Sequence, residues 1–210
     1  MRLVDIIITI VCGEALALVV EDILQDYSVN TDIIIWFLLF IAPVLAVVGL
    51  WFADYISKKL TFIYQFAKYL LVGTFTTFID LKIFDVLTSA IGLNVGIISG
   101  VAKGLSFLIS VIVKFIGNKL WVFEDHEKSS LAREFVSFII VTFIGLIFDV
   151  GGFFFFAKIL GPQFGMPEAA WVKVSVILAA ILAAIWNFLS YKFLVFKKVV
   201  KVEEINSEIN

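Results

Sequence analysis

The chain has 210 residues, of which 62% are hydrophobic and 16% charged, with a formal net charge of −2. A soluble domain is usually about 45–50% apolar, so this composition excludes an ordinary globular core and points to a membrane protein. The absence of a basic block argues against nucleic acid as a partner. Cys12 and His126, one of each kind, leave neither an internal disulfide nor a metal-ligand set, so no metal or cofactor is expected.

A helix that crosses a bilayer needs roughly 20 mostly apolar residues, because lipid offers no partner for free backbone groups. Six stretches fit: 6–24, 33–52, 69–91, 95–116, 135–160 and 170–189. The first is interrupted by Glu14. Arg2 and the Ala15-Leu16-Ala17 triplet give it some likeness to a signal peptide, but Asp5 and Glu14 spoil the apolar region, and it reads as a span. Glu14 has two readings, proton exchange coupled to transport or a structural contact with the following helices.

In the third stretch Gly73, Thr76, Thr77 and Asp80 share one face. In the fourth, Ser99, Lys103, Ser106, Ser110, Lys114 and Asn118 follow at steps of three or four, a continuous polar stripe through a membrane helix. Gly96, Gly100 and Gly104 have the spacing that lets another backbone approach. Just beyond, Lys119 and Trp121 are expected to anchor at the membrane interface. The fifth stretch is over-long, and Gly151-Gly152 predicts tilt or a local break. Thr142, Gly145, Asp149 and Gly152 share one of its faces. The sixth carries Lys173, Ala180, Ala184, Asn187 and Tyr191 as a fainter stripe, with Ser175, Ala179 and Ala183 at small-residue spacing.

Lysine and arginine are absent from 21–31 and 161–170, but Lys58, Lys59, Lys68, Lys119, Lys128, Arg133 and Lys192 lie at the opposite ends of the spans. The positive-inside rule then places both termini in the cytoplasm of a multi-pass plasma-membrane protein. The last four spans read as one hairpin written twice. "VGTFTTFID" ends on Asp80 and "VTFIGLIFD" on Asp149; "KFIGNKLWVF" (114–123) and "NFLSYKFLVF" (187–196) close the two copies. Both copies begin and end on the same side, so the repeat is parallel.

The pattern "FAKYLLVGTFTTFID" (66–80), the closing "NKLWVF" (118–123) and the second "NFLSYKFLVF" resemble the GtrA-like family of small four-span proteins over roughly 66–196. The resemblance implies a link to polyprenyl-phosphate sugars and movement of such lipids across the bilayer. The expected architecture is an all-α bundle of six transmembrane helices. It divides into an N-terminal hairpin (1–60), a GtrA-like four-helix domain (61–198) and a polar cytoplasmic tail (199–210).

A charge at a helix centre costs about 2.5–3.5 kcal/mol on insertion scales, so the polar residues need a reason. One reading is structural, with buried Asp–Lys pairs that fix helix register. The other is a groove for a lipid headgroup. Lys103, Lys114 and Lys173 would meet phosphate, while Asp80, Asp149 and Asn187 would meet sugar hydroxyls, with Asn118 closing the stripe. The functional expectation is binding and translocation of a polyprenyl-phosphate-linked sugar. The alternatives are a non-catalytic subunit that docks a membrane-associated glycosyltransferase, or a small proton-coupled cation exporter using Glu14, Asp80 and Asp149. The homo-oligomeric state stays open. No phosphate-binding glycine loop or nucleophile–base set is present in the sequence, so no catalytic residues are assigned and an enzyme is not expected.

Overall fold

The computed structural model describes residues 1–26, 32–60, 62–91, 97–126 and 131–196, with backbone alone at 22–26, 32–34, 90–91, 97–100, 169–170 and 173. The regular structure is helical throughout these residues: α1 (Leu3–Asp26), α2 (Asp32–Ser57), α3 (Phe62–Ile91), α4 (Ile97–Gly117), α5 (Leu131–Phe154) and α6 (Glu168–Ser190). The last three each run on into a π-helical turn, at Asn118–Val122, Phe155–Leu160 and Tyr191–Val195. The all-α expectation holds.

Among the described residues, five segments are long and apolar enough to cross a membrane: Leu3–Glu21, Ile35–Ser57, Val101–Val122, Leu131–Leu160 and Val174–Val195. The first qualifies despite Glu14. The expected third span does not. At 30 residues α3 is about 45 Å long, ample for a bilayer, but Lys68, Asp80, Lys82 and Asp85 leave it too polar by composition.

The chain forms two compact units, Met1–Glu124 with α1–α4 and Asp125–Asn210 with α5 and α6. In the first, α1 packs on α2, both pack on α3, and α3 packs on α4. The tightest approach is at Gly13, where an added Cβ would stand 2.5 Å from the Pro43 Cα. Only a residue without a side chain lets α1 lie against α2 there. The glycine series in α4 does not act as expected where it is described. Gly104 has open space around it, and Gly96 lies outside the described residues, as do the surroundings of Gly100.

In the second unit α5 packs along α6. The expected break at Gly151-Gly152 is absent, because α5 continues to Phe154 and changes only its hydrogen-bond pattern at Phe155. Gly152 serves close packing instead: an added Cβ would lie 3.5 Å from the Ala179 Cα. Ser175, Ala179 and Ala183 are all buried, as their spacing predicted.

The two closing motifs adopt the same local geometry. The Phe123 N–H donates to Asn118 O at 2.9 Å and the Phe196 N–H to Tyr191 O at 2.8 Å, each bond spanning five residues. A wider turn lets neighbouring residues face inward together. Asn118, Lys119, Trp121 and Val122 are therefore all buried. This corrects the expectation that Lys119 and Trp121 are interface anchors.

Candidate functional site

The polar residues of the first unit form three groups along α3 and α4. Midway, Asp80 Oδ2 accepts from Lys103 Nζ, while Oδ1 accepts from Ser106 Oγ at 2.6 Å. The carboxylate is mostly shielded and the lysine half-exposed. For these two residues the geometry is that of the structural reading, with Lys103 already engaged by a carboxylate of its own chain.

Toward the end of α4 the stripe turns inward. Ser106, Ser110 and Asn118 are buried. Ser110 Oγ donates to Phe107 O at 2.8 Å and Asn118 Nδ2 to Lys114 O at 2.8 Å, so both donors turn back onto carbonyls of their own segment. Lys114 is half-buried. Its ammonium has no hydrogen bond or ion pair with any described residue. One turn on, the buried Asn118 Oδ1 likewise has no hydrogen-bond partner. The side chain of Ser99 lies outside the described residues.

The third group escaped the sequence reading. Lys68 Nζ pairs with Asp5 Oδ1 at 2.8 Å, and both side chains are only 1% exposed. The Trp121 indole N–H donates to the same oxygen at 2.9 Å, and the Arg2 backbone N–H donates to Oδ2 at 2.9 Å. Arg2 also pairs with Glu124, and Lys68 Nζ lies 3.5 Å from it. The Asp5 hydrogen bond, with the charges of Asp5 and Glu124, holds the Arg2 guanidinium above its ordinary value. Tyr64 completes the group, its ring centre 4.6 Å from Lys68 Nζ. Its buried hydroxyl, within electrostatic reach of Asp5, closes no hydrogen bond of ordinary length and angle. A signal for this cluster existed. Asp5 near the start of the first helix and Lys68 near the start of the third fall at the same end of an up-and-down bundle.

Glu14 lies between α1 and α2, in an open apolar pocket lined by Ile6, Ile10, Leu39, Pro43 and Val47. In the second unit Asp149 is half-buried on α5 and has no polar partner among the described residues. Asn187 is buried against Gly145, where an added Cβ would stand 2.2 Å from its Oδ1, and that oxygen has no hydrogen-bond partner. Next to it, Tyr191 stacks on Phe138 at 4.5 Å and shares a 2.6 Å hydrogen bond with Thr142. The Trp186 ring lies tilted against Phe148, with centroids 4.8 Å apart, and its indole N–H donates to Val141 O. Lys173 sits in α6 with its side chain outside the described residues. Among the described residues no three His, Cys, Asp or Glu side chains gather as a metal site.

A family model described as GtrA/DPMS, transmembrane domain, matches residues 68–196. No curated protein and no solved structure matches the chain. The match begins at Lys68 and ends at Phe196, so it takes in almost all of α3, all of α4–α6 and both π-helical closing motifs, and leaves the N-terminal hairpin outside. It covers more than half of the sequence, and the chain belongs to the GtrA/DPMS transmembrane-domain family.

Proposed function

We propose that the protein binds a polyprenyl-phosphate-linked sugar within the bilayer and carries it across. Membership of the GtrA/DPMS family ties the chain to polyprenyl-phosphate sugar metabolism. The observation that carries the finer reading is Lys114. Lys68 and Lys103 each have a carboxylate from the chain, whereas Lys114 has no partner among the described residues. A cation held in low dielectric gains most from an anion that brings several acceptors, and a phosphate does so. The free Asn118 Oδ1 is an acceptor for a hydroxyl of the same headgroup. Asp149 and Asn187 offer acceptors of the same kind in the second unit. The residues bind and position; no bond-making step is assigned to them.

In this reading α3 also crosses the membrane and brings the spans to six. Its charges at Lys68 and Asp80 are neutralised by Asp5 and Lys103, which lowers the cost of crossing. The parallel duplication and the cytoplasmic termini belong to the same reading. Accordingly, in a Cys12→Ala background, Gln163→Cys should react with an impermeant thiol reagent added to intact cells and Ser130→Cys should not. The opposite pattern would invert the topology. Lipid extracted from the purified protein and weighed by mass spectrometry should contain a polyprenyl-phosphate sugar. Recovery of a bound glycosyltransferase with ordinary phospholipid alone would favour the docking subunit and remove the carrier.

A further inference from the structure

At the start of α3 a carboxylate is held as an anion site holds its ligand. Asp5 Oδ1 takes the Lys68 ammonium and the Trp121 indole N–H; Oδ2 takes the Arg2 backbone N–H and, at 3.4 Å, the Arg2 guanidinium. Asp5 and Lys68 are both shut off from solvent. The parts have two origins. Lys68 and Trp121 belong to the segment that matches the family, while Asp5 and Arg2 belong to the hairpin outside it. One donor at the site is poorly served: the buried Tyr64 hydroxyl reaches toward Asp5 but closes no hydrogen bond of ordinary length and angle. Of the other acids, Glu124 pairs with Arg2 and offsets one of the two cations, and Asp54 is taken up by the Met1 ammonium. Without the Asp5 charge the cluster keeps Lys68, Arg2 and Glu124, a net positive set.

We propose that this cluster is a phosphate-binding site that the chain fills from within, Asp5 acting as a built-in competitor of a phosphate-bearing ligand. A phosphate monoester has one more terminal oxygen than a carboxylate, and inorganic phosphate two more. The third oxygen can take Tyr64 at ordinary geometry while the other two keep the four donors that Asp5 now holds. The inference uses residues other than Lys114 and does not rest on the carrier reading.

The test is chemical rescue of the full chain in detergent. Asp5→Ala should melt below wild type. Inorganic phosphate or farnesyl phosphate should raise its melting temperature back toward the wild-type value, with little shift in wild type itself. Adding Lys68→Met to Asp5→Ala should abolish the rescue. Farnesyl phosphate acting at lower concentration than inorganic phosphate assigns the site to a lipid headgroup, and equal potency assigns it to free phosphate. Acetate rescuing where both phosphates fail would mean a cavity shaped for a carboxylate alone and would overturn the proposal. So would a folded Asp5→Ala protein without any phosphate shift, or a rescue that survives Lys68→Met. If Asp5→Ala does not fold, Asp5→Asn keeps the side-chain shape without its charge and is titrated with the same probes; no shift there also overturns it. Lys114→Gln should leave the rescue unchanged, which separates failure here from failure of the carrier reading.

Discussion

Replacing Lys68 by Met should be among the most damaging single changes to the stability of this protein. The substitution keeps most of the apolar stem but leaves the Asp5 carboxylate buried without its cation. Breaking a buried pair from one side costs about 3–5 kcal/mol, most of it the penalty of the abandoned charge. Thermal or denaturant unfolding in detergent should register a loss of that order. Two controls locate the cause. Lys103→Met also breaks an ion pair, but its ammonium is half-exposed, so its loss should be much closer to the 0–1 kcal/mol typical of pairs that water can reach, about the lower end of the scale. The double variant Asp5→Asn/Lys68→Met should recover a large part of the loss, because neither side is then left charged. A Lys68→Met protein as stable as wild type would mean that the N-terminal hairpin is not pinned to α3 through this pair.

That cluster shows what the sequence made legible and what it did not. The helices were readable because lipid forces long apolar runs to satisfy their own backbones. The polar stripe of α4 was readable because a period of three to four residues survives in the bare sequence. Pairing between distant helices was not. Asp5 looked like a flaw in a span and Lys68 like a topology signal; only their meeting in space turns two liabilities into one neutral, buried unit. The π-helical turns were hidden for a related reason. "NKLWVF" and "YKFLVF" look like ordinary helix ends with a cation for the interface, yet one bond spanning five residues rotates Lys119 and Trp121 inward. The same reasoning explains α3. Its four charges lower its apparent fitness for the membrane, while at least Lys68 and Asp80 are neutralised by partners that a composition window does not see.

Lys114→Gln should do the opposite of Lys68→Met, keeping the fold and losing the ligand. The ammonium has no partner among the described residues, so removing its charge strands no carboxylate among them. Relief of its desolvation should leave stability equal to wild type or slightly higher. Glutamine retains a donor but not the charge. Hydrogen bonds to charged groups contribute about 1.5–3 kcal/mol, so affinity for a polyprenyl-phosphate sugar should fall roughly 10- to 100-fold. Affinity for the neutral polyprenol should hardly change, since only the phosphate rewards the cation. Lys103→Gln gives a useful contrast, because its charge is spent on Asp80 and its loss should reach the lipid only through that carboxylate. A docking subunit would show no lipid effect in either variant. Loss of binding with retained stability at Lys114 is a combination that a purely structural lysine cannot produce. Unchanged lipid-phosphate affinity in a folded Lys114→Gln protein would sink the headgroup site, because no other described cation in α4 lacks a carboxylate partner while facing the buried stripe.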